Sequence, residues 1–68
     1  MEVKVGDTVI WVDSELLKHT AIVDKVKKDN KIDLHFMNEV WGRDTIVTDA
    51  HHKSIQDERN GDYWQEKP

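Results

Sequence analysis

Two adjacent histidines, His51 and His52, are the side chains of this sequence best suited to chemistry. Imidazole can ligate a metal ion or act as a general base near neutral pH. However, neighbouring side chains on an extended segment point to opposite faces, so this pair cannot readily chelate one ion. The chain has no cysteine and no helical His-x-x-x-His spacing that would complete a zinc site. The sequence therefore predicts no metal site and no cofactor. We expect one histidine to anchor a loop by hydrogen bonds under an aromatic ring, and the other to face solvent.

A nucleophile and its base are also available, because the sequence contains Ser14, Ser54 and four histidines beside many carboxylates. Such counts arise without any function in a short acidic chain. Neither a glycine-rich phosphate loop nor a nucleophile elbow is present. A barrel of this length is also too small to enclose the pocket, a few hundred cubic ångströms in volume, that small-molecule sites usually occupy. We therefore expect a protein that is not an enzyme.

Aromatic side chains are the second group with binding potential. The chain has three tryptophans, one tyrosine and one phenylalanine, which is more than the core of a small barrel requires. We expect the surplus rings on an exposed face or between subunits, where tryptophan and tyrosine dominate binding energy. The alternative is that the rings close the ends of the barrel, with Trp64 pinning the tail over the core. The candidate binding residues are Trp11, Trp41, Arg43, His51, His52, Tyr63 and Trp64.

Length and charge limit the function classes. The 68 residues form a single domain, 1–68, and a domain this short is only marginally stable alone, which favours oligomerisation. The net charge of −4, from 14 acidic and 10 basic residues, argues against a primary nucleic-acid binder, whose affinity depends on lysine and arginine.

No apolar run approaches the roughly 18 residues of a membrane span, and the first residues lack the form of a signal peptide. We therefore expect a cytoplasmic protein with no membrane partner.

The residues with binding potential must be positioned by strands, of which a hairpin is the clearest. Its arms are predicted at 19–27 and 31–37. Apolar and polar residues alternate along the second arm, which is the period of a strand with one buried face. Asp29 and Asn30 lie between the arms, and both residue types tolerate the positive φ of a tight primed turn.

Three further segments complete the predicted fold, at residues 3–13, 43–48 and 62–65. Within the first of them, Gly6 and Asp7 are predicted to form a turn or bulge between two short extended pieces. Leu16 and Leu17 are expected to fold back over one end of the core. Residues 54–60 are predicted to form an exposed loop, and the stretch 54–61 is expected to be free to contact a partner. Five short strands with little helix predict an all-β protein. We expect a small SH3-like five-stranded barrel, because closing the sheet removes exposed strand edges.

The stretch "VKVGDTVIWVD", in which a glycine-aspartate turn introduces a long strand, resembles the opening of KOW and SH3-like barrel modules. With "AIVDKV", "KIDLHF", a following histidine and a terminal Gly-x-x-Trp, the chain is similar to small uncharacterised proteins encoded by tailed bacteriophages. Val47, His51 or His52, Gly61 and Trp64 occupy the comparable places. The tail "YWQEKP" departs from that pattern by lacking a second aromatic residue. The resemblance implies a fold and a bacteriophage setting but no activity.

The favoured hypothesis is a non-catalytic binding module, encoded by a bacteriophage and acting in the host cytoplasm. It would act by binding a host protein or by assembling into a small oligomer. Binding a protein of the host defence is a special case of the first. The alternative from another class is an oligomeric sponge for a nucleotide or cyclic nucleotide. In such a sponge Trp11 or Trp41 would stack on the base, while Arg43, Arg59 or a lysine would contact the phosphates. A weak nucleic-acid-binding module of the KOW type is a third hypothesis, which the charge disfavours, and a structural or virion role is a fourth.

Overall fold

The computed structural model describes residues 3–38, 42–55 and 59–67. Five strands form a closed barrel in the order β1-β2-β3-β4-β5. The strands are β1 (Thr8–Val12), β2 (Lys18–Val26), β3 (Ile32–Asn38), β4 (Arg43–His52) and β5 (Tyr63–Glu66), with short 3-10 turns at Lys28–Asn30 and Lys53–Ile55. The predicted all-β fold, a small five-stranded barrel of the SH3-like kind, is confirmed. The described residues include no helix with the length and apolarity that a membrane span needs.

The barrel closes through its last strand. Strands β1 to β4 follow one another as antiparallel neighbours. Strand β5 then pairs antiparallel with β1 along Val9 to Val12. On its other side β5 meets β4 in parallel at two positions, where His51 lies beside Tyr63 and His52 beside Trp64.

The core consists of buried apolar side chains from all five strands. Its buried apolar residues are Val9, Trp11, Val12, Ala21, Val23, Ile32, Leu34, Phe36, Ala50, Tyr63 and Trp64. The largest of the fully buried side chains is that of Trp64. Its indole Nε1 donates a 2.8 Å hydrogen bond to the carbonyl of Asn30, so the polar atom of this ring has a partner, as buried donors require.

The β2–β3 hairpin confirms the prediction within one residue at each end. Its turn contains Asp29 and Asn30, whose φ angles are 61° and 60°. Both residues therefore take the left-handed conformation that short polar side chains tolerate. The turn also supplies the carbonyl that receives the indole proton of Trp64.

Strand β4 is longer than predicted, and a β-bulge explains the difference. Ile32 lies opposite Ala50 and Leu34 opposite Val47, so two residues of β4 face the single Asp33. Asp49, in the bulge, has a φ of 54°. The strand bends there instead of ending at residue 48, and it continues to His52.

Three charged side chains fix this bulge. The amide of Asp49 donates to Asp33 Oδ1 at 3.0 Å, which replaces a ladder bond that the bulge removes. Lys27 Nζ lies 2.9 Å from Asp33 Oδ1 and 2.8 Å from Asp49 Oδ1. The hydrogen bond from Lys27, followed by that from the Asp49 amide, lowers the pKa of Asp33 from its ordinary 3.8. Hydrogen bonds to Asp49 and then Asp33 raise the pKa of Lys27.

Because the pKa of Asp33 is lowered by folding, its contribution to stability is complete above 3.8 and is lost as pH falls through the folded-state value. We predict that Asp33→Asn is less stable than the native chain at neutral pH. The difference should narrow as pH falls from 3.8 through the lower folded-state pKa of Asp33, because the carboxyl group is then protonated in the folded protein as well. Urea unfolding at a series of pH values measures this difference. A difference that does not change with pH would contradict the assigned role of the Asp33 carboxylate.

The backbone at Gly61, shortly before β5, packs closely against the loop that follows β1. The glycine is buried and has a φ of +70°. A Cβ built on it would lie 2.0 Å from the carbonyl oxygen of Asp13 and 2.9 Å from the carbonyl carbon. The expectation that residues 54–61 are all free for a partner is therefore wrong at Gly61, because the backbone there is in contact with another loop.

We predict that Gly61→Ala destabilises the protein by about 3 kcal/mol or more, since a left-handed alanine and a clash with rigid backbone both oppose folding. Gly42→Ala is the matched control. Gly42 has a φ of +66° but nothing within 4 Å of the added Cβ, so only the conformational cost of about 1–2 kcal/mol applies. Thermal and urea unfolding compare the two variants. Equal losses would show that the contact with Asp13 does not constrain the barrel.

Candidate functional site

The structure places three of the candidate aromatic residues in the core. Trp11 is 6% exposed, Tyr63 7% and Trp64 2%. The prediction of exposed rings is wrong for these three, and the alternative, in which rings fill and close the barrel, applies. The physical reason is volume, since five short strands bring few side chains inward and large rings fill the space between them. Trp41 lies outside the described residues.

Arg43 is exposed at the first position of β4. The nucleotide-sponge hypothesis places this guanidinium beside a stacking tryptophan. Trp11 cannot serve, because its ring is buried. The structure therefore brings Arg43 together with none of the candidate aromatic residues that it describes in the core.

His52 is held on both ring nitrogens. Nε2 contacts the carboxylate of Glu66, while Nδ1 accepts a 3.1 Å hydrogen bond from the amide of Ser54. An accepting Nδ1 places the ring proton on Nε2, which donates it to Glu66. The ring also stands edge-on to Trp64, with centroids 4.6 Å apart. The prediction that one histidine anchors the chain beside an aromatic ring is confirmed for His52. His51 is partly exposed.

Ser54, His52 and Glu66 form a serine–histidine–carboxylate set, with Ser54 Oγ 2.9 Å from His52 Nδ1. Its geometry is that of a local turn. The same Nδ1 lone pair already accepts the backbone N–H of Ser54, so it is not directed at the hydroxyl alone as a general base would be. Among the described residues, no group of three histidine or acidic side chains is placed to hold a metal ion. The set therefore joins the end of β4 to β5.

The two neighbouring histidines allow a direct comparison. We predict that His52→Ala lowers the free energy of unfolding by about 2 kcal/mol, because it removes a hydrogen bond to a charged group and leaves Glu66 without its partner. His51→Ala, one residue earlier, should lower the free energy of unfolding by less, because the contact with Glu66 is made by His52. Urea unfolding followed by tryptophan fluorescence measures both. A larger loss in His51→Ala would contradict the assignment of the anchor.

The sequence also predicts a polar loop or a single helical turn after β1, and the structure has a loop there, the β1–β2 loop (residues 13–17). The role of Asp13 in this loop was not predicted. Asp13 Oδ1 accepts hydrogen bonds from the amides of Glu15 at 2.9 Å and Leu17 at 3.0 Å. Its backbone N–H donates to the carbonyl of Leu17, and its carbonyl accepts from the amide of Leu16. One aspartate therefore organises the backbone of the entire loop.

The loop is also tied to the core. Asp13 Oδ2 lies 2.7 Å from His19 Nε2, and the His19 ring stacks on Phe36 with centroids 4.5 Å apart. Partial burial raises the pKa of Asp13, but the hydrogen bonds from His19 and from the amides of Leu17 and Glu15 outweigh it, so the pKa lies below 3.8. The charged form of Asp13 is thus the form that holds the loop.

The two leucines of this loop point away from the barrel. Leu16 is 49% exposed and Leu17 55%, so the expectation that they cover one end of the core is wrong. The bonds of Asp13 to the loop amides turn the chain outward before the leucines can pack. Leu16 has a φ of 65°, a left-handed conformation that is unfavourable for leucine. An aspartate directly after a strand is the sequence signal for this turn, because its side chain bonds amides two residues on.

Comparison with known proteins finds no matching family model, no matching curated protein and no matching solved structure.

Proposed function

We propose that this chain is a non-catalytic binding module, which holds a protein partner through the leucine tip, Leu16 and Leu17. The observation that carries the proposal is Leu16 itself. It is an apolar side chain, half exposed, on a left-handed backbone that Asp13 holds in place.

The isolated chain gains little from leucine at this position. A left-handed conformation costs an L-residue other than glycine about 1–2 kcal/mol, and a half-exposed side chain recovers only part of its burial energy. Glycine or asparagine would suit the backbone better. Backbone strain combined with an outward apolar side chain is typical of sites that contact a partner.

The fixed backbone also favours binding. The amides of Leu16 and Leu17 are both hydrogen-bonded to Asp13, so the tip is ordered before a partner arrives. A preorganised loop loses less conformational entropy on association. Paired leucines on such a loop suit an apolar pocket on the surface of another protein, in which apolar anchors contribute most of the binding energy.

The class of partner follows from charge and from the resemblance. The net charge of −4 favours a protein with a basic rim over nucleic acid. Lys27, in the basic stretch of the β2–β3 hairpin, is engaged by Asp33 and Asp49, which further weakens the KOW-like alternative. The likeness to small bacteriophage proteins supports a bacterial host protein, met in the host cytoplasm, as the partner.

The test compares the native chain with a Leu16→Asn, Leu17→Ser variant. Each is immobilised and exposed to a bacterial extract. We expect the native chain to retain a defined protein at near-equal molar amount and the variant to lose at least 90% of it, on the order of the 1.4 kcal/mol that corresponds to a tenfold change in affinity. Val5→Ser, at a 65% exposed valine outside the tip, is the control and should retain the partner. Equal retention by all three chains, or retention by none, would contradict the proposal.

A second readout separates binding from a structural role. We predict that Leu16→Asn leaves the free energy of unfolding unchanged or raises it by up to about 1 kcal/mol, because asparagine tolerates left-handed backbone. Urea unfolding of the purified variant measures this. A loss of stability of about 1 kcal/mol or more would mean that Leu16 serves the fold, and the main support for the proposal would be removed.

A further inference from the structure

Asn60 and Gly61 form a dipeptide whose two residues can react with each other. The backbone nitrogen of a glycine can attack the side-chain Cγ of a preceding asparagine, because glycine has no Cβ to shield that nitrogen or to restrict the backbone. Asn60 is exposed, in a turn at the surface of the protein. Its side chain is therefore accessible to the water that the second half of this reaction consumes.

The reaction is a deamidation, with water as its co-reactant. A bond forms between Gly61 N and Asn60 Cγ, the nitrogen loses its proton, and the Cγ–Nδ2 bond breaks with release of ammonia. Water then opens the five-membered imide at one of its two carbonyl carbons. Cleavage of the new N–Cγ bond gives aspartate on an ordinary backbone. Cleavage of the bond from that nitrogen to the original backbone carbonyl gives isoaspartate, in which the chain runs through Cβ and Cγ.

Isoaspartate at position 60 does not fit the fold, because the next residue is closely packed. Tyr63 lies opposite Val12 in the ladder of β1 and β5, and just before Tyr63 the buried Gly61 contacts Asp13. Even an added Cβ on Gly61 would lie 2.0 Å from the Asp13 carbonyl oxygen. Isoaspartate lengthens the backbone before Gly61 by one carbon–carbon bond, about 1.5 Å. The longer chain must displace Gly61 from Asp13 or shift the start of β5.

The carbonyl of Asp13 links this contact to the leucine tip. Its oxygen accepts the 2.9 Å hydrogen bond from the amide of Leu16. The same oxygen is the nearest atom to a Cβ built on Gly61. Displacement of Gly61 therefore removes a packed neighbour from the carbonyl that holds the Leu16 amide.

We propose that Asn60 is a site of spontaneous deamidation, and that its isoaspartyl product opens the contact between Gly61 and the β1–β2 loop. The protein then accumulates with time a modified form in which the leucine tip is less ordered. This inference goes beyond the proposed function and requires no partner at the tip.

The first test incubates the native chain at mildly alkaline pH and follows its asparagines by peptide mass spectrometry. We expect Asn60 to convert at least tenfold faster than Asn30, which is also exposed in a turn but precedes Lys31, a residue whose Cβ hinders the attack. Asn60→Gln is the matched control and should stay intact, because its longer side chain would have to form a six-membered ring. Conversion at equal rates in Asn60 and Asn30, or conversion of Asn60 only in urea, would overturn the proposal.

The second test separates the isoaspartyl form and compares it with Asn60→Asp, which carries the same charge on an ordinary backbone. We expect the isoaspartyl chain to unfold at a urea concentration lower by roughly 0.5 M or more. Its Leu16 amide should exchange with solvent at least tenfold faster. An unchanged unfolding midpoint, or unchanged exchange at Leu16, would overturn the proposed opening of the contact. Neither readout involves a bound partner, so this inference and the binding role of the leucine tip can fail separately.

Discussion

Closure of the barrel depends on the bulge in β4 that Lys27, Asp33 and Asp49 hold in place. A strand that stays straight past residue 48 cannot turn to meet β5. The left-handed Asp49 supplies the bend, and Asp33 accepts the amide that the bend leaves without a strand partner. Only after this bend do His51 and His52 lie beside β5. The same bend limits the pairing between β4 and β5 to His51 and His52, at the end of the strand.

The aromatic residues that the structure describes are buried in the barrel and belong to this closure. Trp64 fills the interior and donates its indole proton to the β2–β3 turn, and His52 covers its ring edge. In a chain of 68 residues, few side chains face inward, and rings supply buried area that short aliphatic residues do not. Among the described residues, the exposed large hydrophobic side chains are aliphatic ones and Met37. Leu16 and Leu17 of the leucine tip and Ile46 of β4 are among these exposed side chains.

The β2–β3 hairpin could be predicted from the sequence because its information is local. Alternation defines the arms, and the residues of the turn, Asp29 and Asn30, accept positive φ. The extension of β4 could not, because the bulge at Asp49 requires a carboxylate 16 positions earlier in the sequence. The exposure of Leu16 and Leu17 could not be predicted either. Leucines next to a strand are expected to pack over the core, but the hydrogen bonds of the Asp13 side chain to the loop amides direct the chain outward here. The sequence predicts that one of the two histidines anchors the chain. It could not identify Glu66 as the partner of His52, because the pairing of β4 with β5 brings these two residues together.

The proposed binding role of the leucine tip requires a β1–β2 loop that is ordered in the isolated chain. Amide hydrogen exchange of the isolated chain, read residue by residue by nuclear magnetic resonance, tests this most directly. The amides of Leu16 and Leu17 are bonded to Asp13, and we predict that they exchange as slowly as amides within the β1–β2 ladder. Exchange of both amides at the rate of an unstructured peptide, with the ladder still protected, would contradict the account, because the leucines would then lie on a mobile loop.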